Sequence, residues 1–209
     1  MKKGILFLLG FMLTFNFGYG QQKKFQISLL GMLSHILQYG SEDEYMRGEN
    51  DFPVTPAHTV LGFGAELAYF FRENMAIEGE VRYILSSEVT LVDPSDQDSV
   101  KVDTPRRITA TLNFIHHFFD GKIRPYLVIG GGIDILLAED ETYISEYGYE
   151  VDLLAPEKKV DPVAQAGGGI LYFFNPRAGA KLDFRYSLIF DKPNHINNIN
   201  LAFGFFLRF

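Results

Sequence analysis

A chain of 209 residues, 47% of them hydrophobic and with a formal net charge of −7, is long enough for one domain with a sizeable core, and disorder is excluded as a description of the whole. The absence of cysteine excludes a disulfide scaffold, a thiolate metal site and a thiol nucleophile. A pI near 5.2 argues against a nucleic-acid partner, and a mean hydropathy of +0.02 argues against a helical membrane protein.

Residues 1–20 read as a secretory signal peptide. Lys2 and Lys3 give a positive start, Gly4–Phe15 is apolar apart from glycine and Thr14, and Gly18 and Gly20 supply the small residues of a cleavage site. The run is shorter than the roughly 20 residues a spanning helix needs. Cleavage removes two lysines and takes the net charge from −7 to −9, leaving 21–209 as the expected domain.

Eight segments then alternate apolar and other residues with period two, the spacing of strands whose successive side chains point to opposite faces. They are 24–39, 59–71, 75–86, 108–119, 123–137, 162–174, 178–190 and 198–209. In the second, Leu61, Phe63, Ala65, Leu67, Tyr69 and Phe71 share one face. In the last, Ile199, Leu201, Phe203, Phe205, Leu207 and Phe209 do the same.

The connections alternate between short and long. Residues 72–74, 120–122 and 175–177 are tight turns built on Asn, Asp-Gly and Asn-Pro. Residues 40–58, 87–107 and 138–161 are long and polar, and 191–197 is shorter. Eight strands joined in this way predict an all-β, antiparallel up-and-down barrel. In a membrane barrel the short turns lie on the periplasmic side and the long loops outside.

Charge placement decides the environment. The less apolar faces carry Glu66, Glu78, Glu80, Arg82, Arg124, Asp134, Lys181, Asp183, Arg185 and Arg208, five acids and five bases. Such charges inside a soluble barrel are costly. Inside a transmembrane barrel, with the apolar face toward lipid, they are the expected inversion. The balanced signs predict a packed lumen charge network in place of an ion-selective ring. A first turn centred on Glu73 sets Glu80 opposite Glu66 and Arg82 opposite Gly64. A third centred on Pro176 sets Asp183 opposite Gly169 and Arg185 opposite Gly167, so long side chains face residues that leave them room.

The abundant Phe also has a position. Phe70-Phe71, Phe118-Phe119 and Phe173-Phe174 precede tight turns, and Phe205, Phe206 and Phe209 lie at the same end of the last strand. These residues are expected to ring one rim, where aromatic girdles meet the membrane interface.

On two stretches, Leu201 to Phe209 (LAFGFFLRF) and Arg124 to Gly132 (RPYLVIGGG), the chain resembles the small eight-stranded bacterial outer-membrane β-barrels, the group holding the membrane domain of outer membrane protein A and proteins X and W. The resemblance spans residues 22–209. It implies the cell outer membrane of a diderm bacterium, a lipid bilayer as surroundings, and recognition by the barrel assembly machinery through Phe205, Leu207 and the terminal Phe209. The peptidoglycan-binding domain of some relatives is not expected.

No motif specifies catalysis. Glu66 and Glu80 pair as an acid/base couple would, but Arg82 nearby favours an ion cluster. Gly130–Gly132 and Gly167–Gly169 sit within strands and lack the following helix and Lys-Ser/Thr of a phosphate loop. His116 and His117 point to opposite faces and cannot readily share a metal. Loops one and three carry net charges of −4 and −6, and runs such as Glu42-Asp43-Glu44 offer carboxylates for a divalent ion without EF-hand spacing. The expected protein is a monomeric, non-enzymatic barrel without cofactor, in a structural or surface-interaction role, its acidic loops a candidate contact for an extracellular partner. The alternatives are a narrow pore or transporter for small or hydrophobic solutes and a lipid-modifying enzyme.

Overall fold

The computed structural model describes residues 24–37, 57–92, 99–137, 141–144, 150–153, 159–191 and 195–209. The signal segment, most of loop one and parts of the other loops lie outside the described residues, as do the acidic runs at 42–44 and 139–140.

Eight strands form the wall: β1 (Phe25–Ile36), β2 (His58–Arg72), β3 (Met75–Ile84), β6 (Arg106–His117), β7 (Ile123–Leu137), β10 (Val160–Asn175), β11 (Ala178–Ile189) and β12 (Ile196–Arg208). They close into a barrel in the order β1-β12-β11-β10-β7-β6-β3-β2, with every pair antiparallel. Each wall strand therefore neighbours the wall strands before and after it in the chain. The seam closes at Phe25 and Phe209, whose backbone amides each donate to the other's carbonyl at 2.9 and 2.8 Å. Closure leaves no unpaired edge, which is the condition for a sheet to stand in lipid.

The remaining strands lie in segments expected to be polar loops. β4 (Glu88–Val92) pairs with β5 (Ser99–Asp103), and β8 (Glu141–Ile144) pairs with β9 (Glu150–Leu153). Below the first of these hairpins, Thr104 N donates to Ser87 O at 2.8 Å and joins it to β3 and β6.

The turns set the register. Glu66 stands opposite Glu80 and Gly64 opposite Arg82, as the turn position predicts. Gly167 stands opposite Arg185 and Gly169 opposite Asp183. Two turns are tighter than expected, with bulges between Phe70 and Arg72 and between Phe173 and Asn175. In the second, Asn175 Oδ1 accepts from Arg177 N at 2.8 Å and Ala178 N at 2.9 Å, the side-chain mimic of a backbone turn.

The apolar residues face outward. Leu29, Leu61, Phe63, Leu67, Leu112, Leu127, Ile129, Phe184 and Phe203 are exposed around the whole wall, while their neighbours in sequence are turned inward. Soluble monomers rarely expose so continuous an apolar band, and it fits a lipid-facing barrel surface.

Period two corrects one expectation about the rim. Phe71, Phe174 and Phe205 are exposed, but Phe70, Phe173 and Phe206 point into the lumen and are buried. A strand cannot send adjacent side chains to the same face. Phe118 and Phe119, just beyond β6, are both exposed. The outer aromatics touch one another, as in Phe174 with Phe205 at 6.4 Å and Phe71 with Phe114 at 6.3 Å.

Candidate functional site

The barrel interior is layered. At the turn end, Phe70, Ala76, Ile115, Leu171, Phe173 and Phe206 belong to one apolar cluster. At the loop end, Ile36, Val60, Ile84, Val163, Ile189 and Ile196 form another. On β2 and β3 the charged side chains lie between these clusters: Glu66 falls between Val60 and Phe70, and Glu78, Glu80 and Arg82 fall between Ala76 and Ile84. An eight-stranded barrel is just wide enough for its own side chains to fill.

Arg185 is the centre of the belt. Its Nε donates to Asp183 Oδ1 at 2.7 Å, and its Nη1 to Glu80 Oε2 at 2.7 Å. Its Nη2 reaches Glu78 Oε1 at 2.9 Å and Glu66 Oε1 at 3.1 Å. Lys181 Nζ donates to Glu66 Oε2 at 2.6 Å and to Glu78 Oε2 at 3.2 Å, and stands 3.4 Å from Asp183. Arg82 Nε pairs with Glu80 Oε1 at 2.5 Å. Three cations thus hold four carboxylates.

Neutral donors complete the coordination. Gln165 Nε2 donates to Glu80 Oε2 at 2.9 Å, Thr111 Oγ1 to the same oxygen at 3.0 Å, and Asn113 Nδ2 to Glu78 Oε1 at 3.3 Å. The Tyr126 hydroxyl donates to Asp183 Oδ2. Buried charges persist only when paired and hydrogen-bonded in this way. Glycine makes the packing possible: a Cβ on Gly167 would come within 2.1 Å of Phe184 O and 3.0 Å of Arg185 Cγ.

Three of the ten charges expected in one network lie elsewhere. Asp134 accepts from Arg107 Nε at 2.8 Å and Thr109 Oγ1 at 2.6 Å. Arg124 and Arg208 lie at the turn end and rest on aromatic rings. The Arg124 guanidinium is 4.6 Å from the Phe173 centroid, and that of Arg208 is 4.1 Å from Phe70 and 5.1 Å from Phe173. Both follow their strands' inward parity, yet their height in the barrel places them beside apolar rings instead of the acids. Sequence reasoning left out Arg107, assigned to a loop, and the neutral partners Tyr126, Asn113, Thr111 and Gln165. Inward parity is the signal that would have found them.

The site offers little reactive chemistry. Glu66 and Glu80 stand opposite each other, but cations and amide donors occupy their oxygens, and both are buried. Of the assembly-signal residues, Phe205 and Leu207 face outward, and Phe209 stacks on Phe25 at 6.1 Å between ring centroids.

No family model matches the chain, and no curated protein matches it in sequence. Solved structures do match. Neisserial surface protein A superposes with a TM-score of 0.58 at 11% identity, over 88% of this chain and 97% of that one. The chain has the fold of the small eight-stranded outer-membrane β-barrels. The N-terminal barrel domain of OprF from Pseudomonas aeruginosa superposes with a TM-score of 0.52 at 12% identity, over 90% of this chain and all of that one. The attachment invasion locus protein of Yersinia pestis gives 0.50 at 14%, over 90% and 100%. At identities this low the likeness is one of barrel architecture.

Proposed function

We propose that this protein is a sealed, non-enzymatic, monomeric barrel of the outer membrane of a diderm bacterium, whose role is to anchor and present its acidic loops at the cell surface. The observation that supports this most is the filled lumen, a belt of ion pairs lying between two apolar clusters. A continuous water path would have to break buried ion pairs and cross both clusters. The similarity of the fold to outer-membrane barrels supports the location. In this reading the C-terminal strand, with Phe205, Leu207 and Phe209, is the segment the assembly machinery reads. Planar-bilayer recording of the purified, folded protein tests the sealed lumen. Negligible steady conductance is expected, and large stable channels would overturn the proposal.

A further inference from the structure

The two arginines that stand apart from the charged belt share one place, the turn-end mouth of the lumen. Arg208 is 8% exposed, and its one hydrogen bond to a side chain among the described residues is from Nη2 to Gln26 Oε1 at 3.0 Å. Its Nε is buried without a partner. Arg124 donates from Nε to Gly121 O at 3.1 Å, and its Nη1 lies 3.6 Å from Asp120, a carboxylate whose side chain is 70% exposed. Both guanidinium groups pack on the Phe173 ring, so two like charges are held close together, and the carboxylate beside Arg124 is solvated.

His117 is a further unpartnered polar side chain at this end. It is 4% exposed, it stacks on Phe70 at 5.5 Å, the ring that also carries Arg208, and neither of its ring nitrogens has a partner. Buried polar groups are almost always satisfied by protein, water or ligand. The two arginines give the surplus its sign, an unpartnered donor at Arg208 Nε and two positive charges side by side, which selects an anion. Guanidinium groups present forked donors matched to oxyanions. The same end of the barrel carries the exposed Phe71, Phe119, Phe174 and Phe205, the kind of aromatic girdle that sits at a membrane interface.

We infer that the turn-end mouth of the lumen is a binding site for a phosphate-type oxyanion, with Arg208 and Arg124 as its charged donors and the Phe70 and Phe173 rings holding them in place. The anion reaches the site as free phosphate or as the headgroup of an anionic phospholipid. The site is independent of whether the lumen conducts.

The test uses the full barrel refolded in a phosphate-free maltoside micelle, with arginine side-chain amide signals followed by NMR at constant chloride. Inorganic phosphate is titrated in one arm and phosphatidylglycerol in the other. A saturable shift of the Arg208 Nε–H signal is expected in at least one arm, at least tenfold weaker in affinity in Arg124→Gln. Because Arg124 is partly exposed, that variant keeps the fold, which heat-modifiable gel migration verifies. Saturation by inorganic phosphate assigns a soluble anion; saturation by phosphatidylglycerol alone assigns the headgroup. No saturable response in either arm, or an unchanged affinity in folded Arg124→Gln, would overturn the inference.

Discussion

Arg185 reaches Glu80 across the full width of the barrel, Nη1 donating to Oε2 at 2.7 Å, although their strands β11 and β3 stand opposite each other in the ring. The wall strands are thereby tied through the interior as well as through their edges. Lys181 on β11 repeats the pattern with Glu66 on β2 and Glu78 on β3.

Removing the central cation leaves carboxylates buried without compensation. Arg185→Met is expected to lower the unfolding free energy by about 3–5 kcal/mol, the usual cost of breaking a buried ion pair from one side. Urea unfolding of the refolded barrel in lipid vesicles measures it. A loss below about 1 kcal/mol would show that the belt relaxes without Arg185.

The glycines separate by the same geometry. Gly167→Ala places a methyl against Phe184 O and Arg185, and is expected to cost about 1–3 kcal/mol as an overpacking change. Gly79 faces outward with nothing within 4 Å of an added Cβ, and Gly79→Ala is expected to stay within about 0.5 kcal/mol. Equal effects in paired unfolding curves would mean that the lumen is looser than these contacts imply.

The turn-end cluster depends on Phe206, 2% exposed and packed edge-on against Phe173 at 4.9 Å. Phe206→Ala opens a cavity and is expected to destabilise by about 3–5 kcal/mol. Unchanged unfolding midpoints would place Phe206 outside the packed interior.

The outward face has its own signature. Leu67, near the middle of β2, is 51% exposed. Leu67→Arg is expected to cost about 2–4 kcal/mol in a bilayer, the penalty for a cation at mid-depth on a barrel's lipid face. A neutral outcome in vesicles would contradict a lipid-facing position.

Much of this fold could be read from periodicity and turn chemistry. Parity told which side chains face inward, and the turns at Glu73 and Pro176 fixed the neighbours of Arg82 and Arg185. Contacts across the lumen were not legible. Register relates only adjacent strands, and the height of a side chain in a tilted barrel depends on accumulated stagger. That is why inward parity alone sets Arg124 and Arg208 beside acids they do not meet, and gives no sign that Tyr126 and Gln165 do meet them. The Phe pairs follow a simpler rule: sequence position sets both members at one end of the barrel, while parity sends only one of each strand pair to the outer face. The β4–β5 hairpin lay hidden because acidic residues outweighed the Val-Thr-Leu-Val alternation within a segment read as polar.

The apolar face meets lipid while the charges are enclosed. The chain has no cysteine, so a single Leu67→Cys bears a fluorescent bimane without competing sites. In vesicles whose acyl chains carry bromine at mid-depth, strong quenching of that label and little quenching by aqueous iodide are expected. Quenching by iodide with none from the brominated chains would contradict it.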